Sequence, residues 1–322
     1  MVKTTRQEIT FAWGGIHLAG TLHVPPLPPP HPVVLMLQGS GAADRDADGY
    51  FPPIRAAFLS RGIATYSFDK PGIGGSSGDW RDYALNGRTD QALAAITLLR
   101  AHPAIDAARV GVWGQSQGGW LVQILAARLP DLAFAVANSG AAIGVEAQDR
   151  AGCEHSMRAE GRAEAEIARA LAFIDAVHAA ARRGDDYATV EPTLLAPARD
   201  QSWYGYLRFD NATDWEGTRR FVTEGYEPEA ALMRAHCPFL AIFGTRDVLV
   251  PTWESAMIYD RALRAAGNQD TTLAIFPQGN HRIRIEESGE FCTGYLDLLG
   301  DWVARRVASG GRAIEASGDG NQ

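Results

Sequence analysis

The sequence predicts an α/β protein, a doubly wound, mostly parallel sheet interrupted by an inserted, mainly helical cap. Three features carry that expectation. Short apolar runs bounded by Pro or Gly recur along the chain, as strands buried on both faces require. Segments with apolar residues at helical spacing lie between them. The alternation stops at residue 141 and resumes only after 235, so a separate unit fills the gap.

Each element follows in order. Ile16, Leu18 and Gly20-Thr21-Leu22 open the sheet as a hairpin. Residues 25–32 hold six prolines and form an extended surface connection. Val33–Leu37 reads as a buried strand, and Ile63–Phe68 as the next. Leu85, Ala92, Leu93, Ile96 and Leu99 recur at helical spacing. Val110–Trp113 is a strand, followed by a helix carrying Leu121, Ile124, Leu125 and Leu129, then a strand at Ala133–Ala137. In the interruption, Ile167, Leu171, Ile174 and Val177 mark one amphipathic helix that stops at Arg182-Arg183-Gly184. The pattern resumes with a strand at Phe239–Phe243, a helix near 252–266, a strand at Thr271–Phe276, and a last helix carrying Phe291, Tyr295, Leu298, Leu299 and Trp302. The division is therefore a core of residues 1–140 and 236–308, a helical cap of 141–235, and a flexible Gly- and Ser-rich tail of 309–322.

Composition narrows the function. With 322 residues, 46% of them hydrophobic and 21% charged, the chain can bury a large core without staples. A net charge of −8 makes it a poor binder of phosphate backbones, so no nucleic-acid partner is expected. Only Lys3 and Lys70 are lysines, and neither sits in the Gly-Lys-Ser/Thr setting of a nucleotide loop. Cys153, Cys237 and Cys292 are far apart and odd in number, which fits free thiols in a reducing compartment. The first residues lack the apolar core of a secretory signal and no run is long enough to span a membrane, so a cytoplasmic location is expected. Cys153-Glu154-His155 has no second ligand pair at metal spacing. No metal and no cofactor is expected.

The chemistry is carried by Gly114-Gln115-Ser116-Gln117-Gly118, a G-x-S-x-G between a strand and a helix. Small residues on either side let the chain reverse sharply and lift the Ser116 hydroxyl above the sheet edge. A serine hydroxyl is a weak nucleophile that needs a base, and the base needs an orienting acid. In this architecture the chain order is Ser, then Asp or Glu, then His. Of eight histidines only His281 lies on the loop beyond the last strand, in Pro277-Gln278-Gly279-Asn280-His281. Asp247 lies four residues beyond Phe243, at the end of the preceding strand. Strand ends on one sheet edge converge, so Ser116, Asp247 and His281 can meet. The developing oxyanion needs donors. The amide of Gln117 is one, and the Gln38-Gly39-Ser40-Gly41 loop offers the amide of Ser40 or of Gly41 as the other.

On these residues the chain resembles the α/β-hydrolase superfamily. Gly39-Ser40-Gly41-Ala42-Ala43-Asp44-Arg45-Asp46 and Asp69-Lys70-Pro71-Gly72-Ile73-Gly74-Gly75-Ser76 resemble, more narrowly, its bacterial serine carboxylesterase and serine-aminopeptidase-like branch. The resemblance covers about residues 33–140 and 238–308, and it implies an α/β-hydrolase fold and acyl-transfer chemistry. Two positions depart from the pattern. Gln38-Gly39 stands where many members carry His-Gly, and Asp69-Lys70-Pro71-Gly72 stands where many carry Asp-x-Arg-Gly. The arginine that would brace the oxyanion loop is missing, leaving Lys70 or Arg45 to take that part.

The leading expectation is a serine hydrolase of carboxylic esters, lactones or thioesters, acting on a small-molecule substrate with water. The same triad would serve a peptidase, an amidase or an acyltransferase. A small-molecule binding module on this scaffold would be expected to carry a broken triad. The cap leaves the sheet on the catalytic edge and should cover it, with Trp203, Tyr204, Tyr206, Phe209 and Trp215 as walls of the substrate pocket. Oligomeric state is not legible in the sequence.

Overall fold

In the computed structural model, residues 4–206, 209 and 211–309 are described. Eight strands form one sheet in the order β1-β2-β4-β3-β5-β6-β7-β8. They are β1 (Thr5–Trp13), β2 (Ile16–Val24), β3 (His31–Leu37), β4 (Ala64–Phe68), β5 (Ile105–Gln115), β6 (Ala135–Asn138), β7 (Phe239–Gly244) and β8 (Thr271–Phe276). β1 and β2 form the hairpin, closed by Gly14 and Gly15 at φ of +55° and +83°. That left-handed backbone suits glycine, which lacks the Cβ that would clash there. β2 pairs antiparallel with β4, and every pair from β4 across to β8 is parallel.

Alternation along the strands builds two cores. Val33, Leu35, Leu37, Val112, Ala137 and Phe243 face α2 (Leu85–Arg100), α3 (Gln117–Arg128) and α10 (Thr252–Ala265). Val34, Met36, Trp113, Val136 and Ile242 face α1 (Phe51–Leu59) and α11 (Tyr295–Ser309). α1 has no counterpart in the periodicity reading. Its two prolines, Pro52 and Pro53, occupy the first turn, where a missing N–H costs nothing. Phe291, expected in the last helix, precedes it, and that helix runs to Ser309. The expected tail otherwise lies outside the described residues.

Among the described residues, the stretch between β6 and β7 holds helices joined by turns and no strand. α4 (Val145–Ala159) packs against α5 (Glu164–Arg183), which ends at Gly184 in the left-handed conformation, at φ +80°. Short turns α6 (Tyr187–Val190) and α7 (Ala196–Ala198) lead to α8 (Ala212–Glu224). Met157, Ile167, Ile174, Val177, Leu195 and Trp215 form a third core that belongs to this unit alone. α9 (Pro228–Leu232) instead packs on α3 and α10, with Leu232 in the core beneath the sheet. The unit is tied to the sheet edge by Arg220 Nη1 donating to the Arg81 carbonyl at 2.8 Å, and by Gln148 Nε2 donating to the Leu249 carbonyl at 2.7 Å. Among the described residues no helix is long and apolar enough to cross a membrane.

Candidate active site

Ser116 sits between β5 and α3 with φ +58° and ψ −121°. A non-glycine residue in such a region stores strain of about 1–3 kcal/mol. The flanking glycines are dictated by close approach. A Cβ on Gly114 would lie 2.1 Å from the Gly118 carbonyl oxygen, and one on Gly118 would lie 2.4 Å from the Leu37 carbonyl oxygen. The turn is pinned by the Ser116 N–H donating to the Asn138 carbonyl at 2.9 Å.

The loops after β7 and β8 are built against each other. A Cβ on Gly244 would lie 2.1 Å from the Gly279 carbonyl oxygen, and the Arg246 N–H donates to that carbonyl at 2.8 Å. This contact brings Asp247 to His281. Asp247 Oδ2 lies 2.8 Å from His281 Nδ1. Asp247 Oδ1 accepts the N–H groups of Leu249 and Val250 at 2.9 and 3.0 Å. The carboxylate is fully buried, and both its oxygens are used. The Asp247 carboxylate is thus spent on His281 and on this turn, and does not cap α10. The hydroxyl of Thr252 donates to the Gly244 carbonyl at 2.7 Å and closes the same turn.

The loop carrying Ser40 is held from behind. Lys70 is buried, and its Nζ donates to the carbonyls of Gly39 and Gly41. Gln38 Nε2 donates to the carbonyls of Phe68 and Asp44 at 2.6 and 3.0 Å. Arg45 grips Asp69 through Nε at 3.0 Å and Nη2 at 2.6 Å, and its amide adds a third bond at 2.8 Å. Lys70 and Arg45 therefore divide the bracing that one arginine supplies in the sequence pattern. A Cβ on Gly39 would lie 2.7 Å from Gln115 Oε1 and 3.2 Å from Ser116 Cβ, so a larger residue there would displace the Gln115 side chain and crowd Ser116.

The bracing pair is expected to make the fold acid-sensitive. Burial alone would raise the Asp69 carboxyl, but the Arg45 guanidinium and the amides of Gly75 and Arg45 outweigh it and hold it below its usual 3.8. A folded-state value below the unfolded one adds stability that is full above the unfolded value and is lost as pH falls through the folded one. Asp69→Asn is expected to cost about 3 kcal/mol at pH 7, the scale for breaking a buried pair. The gap in melting temperature between parent and variant should close as pH drops below about 4, the usual carboxylate range. An equal gap at pH 7 and in acid would contradict this account.

Two cavities meet at the nucleophile, and Ser40 and Ser116 line both. One, of about 390 Å³, is walled by Trp80, Trp120, Val145, Phe209, Phe221 and Val250 under the cap, and Gly41 and Gln117 also line it. The other, of about 960 Å³, is lined by His281, Tyr50, Leu249, Arg246 and Arg282. Ser116, His281 and the Asp247 behind it therefore converge, together with Ser40, Gly41 and Gln117.

The aromatic cluster of the cap divides differently from the expectation. Of the five, Phe209 alone lines the smaller cavity. Trp203, Tyr204 and Trp215 are buried in the cap's own core, and Tyr206 packs on it. Trp203 packs on Phe173 with ring centroids 5.1 Å apart and planes tilted by 45°, and the Trp215 indole donates to the Asp185 carbonyl at 2.9 Å. The cavity's other aromatic walls come from Trp80 after β4, Trp120 on α3 and Phe221 on α8, none of which the sequence reading singled out.

Comparison with known proteins agrees with this fold. Residues 93–287 match the family described as BAAT / acyl-CoA thioester hydrolase C terminal. The chain belongs to that family. It is an α/β hydrolase. Residues 1–149 also match the FrsA-like esterase family. No curated protein matches the hydrolase in sequence. Among solved structures, it resembles an esterase of Pyrococcus furiosus at 16% identity and a TM-score of 0.62, covering 94% of this chain and 91% of that one. It resembles the α/β hydrolase GrgF of Penicillium sp. sh18 at 18% identity and a TM-score of 0.63, covering 94% and 99%. A 2,6-dihydroxy-pseudo-oxynicotine hydrolase is similar at 20% identity and a TM-score of 0.59, covering 94% of this chain and 68% of that one. At these identities the likeness concerns the fold of the hydrolase, and its site rests on the geometry above.

Proposed function

We propose that this hydrolase cleaves a carboxylic ester or thioester through an acyl-enzyme on Ser116. The observation that carries the reading is the Asp247–His281 pair, with Asp247 Oδ2 2.8 Å from His281 Nδ1, facing the cavity that the strained Ser116 elbow lines. With Nδ1–H donated to the buried carboxylate, the imidazole lone pair falls on Nε2. His281 then takes the Ser116 proton as Oγ attacks the carbonyl carbon. Asp247 stabilises the imidazolium without taking the proton. The amides of Gln117 and of Ser40 or Gly41 receive the oxyanion. His281 returns the proton to the leaving oxygen or sulfur as that bond breaks, and water, activated by the same histidine, releases the acid. Thioester cleavage is supported by the family's description as acyl-CoA thioester hydrolase, and ester cleavage by the FrsA-like esterase match.

The smaller cavity takes the acyl chain in this reading, because Trp80, Trp120, Phe209, Phe221, Val145 and Val250 give it an apolar wall beside the nucleophile, with Arg81, Asp149 and Asp214 on its polar side. A panel of p-nitrophenyl esters, thioesters and lactones of graded acyl length tests it. Trp120→Ala, Phe209→Ala and Phe221→Ala are each expected to change the short-to-long ratio of kcat/KM by roughly tenfold, about 1.4 kcal/mol of differential binding. Trp203→Ala and Trp215→Ala should lower stability and leave the ratio alone. If the first three variants shift every substrate equally, the acyl assignment is wrong.

A further inference from the structure

Arg88 lies on α2, on the stripe of that helix that faces the core, and is buried. A buried guanidinium normally pairs with a carboxylate, since an unpaired internal charge is costly. Here its Nη1 donates to the Gln117 side-chain oxygen and its Nη2 donates to the Gln38 carbonyl at 3.1 Å. Both acceptors are neutral, and no carboxylate pairs with Arg88 among the described residues. Burial pushes the guanidinium down only to about 10, so it remains cationic at neutral pH. Its two acceptors are also telling. Gln117 supplies one proposed oxyanion amide, and Gln38 begins the loop that supplies the other. Lys70, buried on that loop's carbonyls, adds to the same environment, and burial together with the Arg88 charge drives it well below its usual range.

We propose that Arg88 is an electrostatic positioning residue for the oxyanion, a buried cation whose counter-charge appears only when Ser116 adds to the substrate carbonyl. The inference rests on the acyl-enzyme reading and goes beyond it. In the resting protein the charge is solvated by the Gln38 and Gln117 dipoles. In the tetrahedral intermediate it faces a negative oxygen across one residue, in a site where low dielectric lets such a field act at a distance. The interaction is made in the transition state and not with the neutral ester, so its loss should fall on kcat and leave KM nearly unchanged.

The deciding variant is Gln117→Glu. It keeps the shape and the backbone amide but gives Arg88 a resident carboxylate partner. A purely structural role for Arg88 makes this change neutral or stabilising and leaves kcat per folded molecule unchanged in Arg88→Met, whose side chain adds no charge beside the oxyanion. The electrostatic role makes Gln117→Glu stable yet slow, with kcat down at least about tenfold and KM within about twofold, well short of removing an oxyanion donor outright. Arg88→Met should show the same kcat loss, and Arg88→Lys should recover part of it. Affinity for a trifluoromethyl ketone, whose Ser116 adduct carries the oxyanion, should fall in step with kcat/KM. Wild-type kcat in a folded Gln117→Glu protein would overturn the inference while leaving the acyl-enzyme reading intact. Absence of any Ser116-dependent turnover in the parent chain would overturn both.

Discussion

Ser116→Ala is expected to abolish turnover, lowering kcat by about 10³-fold or more on the best ester or thioester. The size follows from what Ser116 does in the proposed mechanism; Ser40, which also lines both cavities, lies on the loop after β3 and not on the strained elbow between β5 and α3. The fold should survive, because alanine keeps the Cβ and the bond from the Ser116 N–H to the Asn138 carbonyl is a backbone one. Ser116→Gly separates strain from chemistry. Glycine adopts φ +58° without penalty, so that variant should be equally inactive and more stable by roughly 1 kcal/mol. Rates on a p-nitrophenyl ester and melting curves of the three proteins check both statements. Residual activity near that of the parent in either variant would remove Ser116 from its role.

Asp247→Asn should cost nearly as much, about 10³–10⁴-fold in kcat, with KM little changed. The carboxylate is acceptor-only and faces three donors, the imidazole N–H of His281 and the amides of Leu249 and Val250. An amide at this position must turn its NH₂ toward one side. Toward His281 it forces the wrong tautomer and removes the base. Toward the loop it sets donor against donor at Leu249 and Val250, in a site with no exposure to relieve it. Steady-state kinetics and a melting curve distinguish the two, the first giving a stable, inactive protein and the second a destabilised one. Activity within tenfold of the parent would show that His281 is oriented by something else.

The candidate catalytic residues were legible because their physics is local. Glycines two before and two after Ser116 are demanded by contacts of 2.1 and 2.4 Å, and that demand leaves a motif in sequence. Asp247 and His281 were found from chain order and from their positions just past strands, which the apolar runs of β7 and β8 mark clearly. The cap aromatics were not legible in the same way. A dense run of Trp, Tyr and Phe looks like a binding wall, but the cap needs a core of its own, and Trp203, Tyr204 and Trp215 fill it. The residues that do line the smaller cavity, such as Trp80 and Trp120, come from separate loops and helices and leave no cluster in sequence. Helix α1 escaped because its prolines resemble a breaker, although they fall where a helix tolerates them. Arg88 had one signal. It falls among Leu85, Ala92, Ala95 and Leu99 on a buried face, where an arginine is out of place unless something holds it.

The claim on which the rest depends is that Ser116 carries the acyl group. Incubation with a fluorophosphonate, followed by intact-mass measurement and peptide mapping, tests it directly. The expected result is one phosphonyl addition per chain, on the peptide containing Ser116, with none on Ser116→Ala and strongly slowed addition on Asp247→Asn. No addition to the folded parent, or an addition that persists on Ser116→Ala, would contradict it.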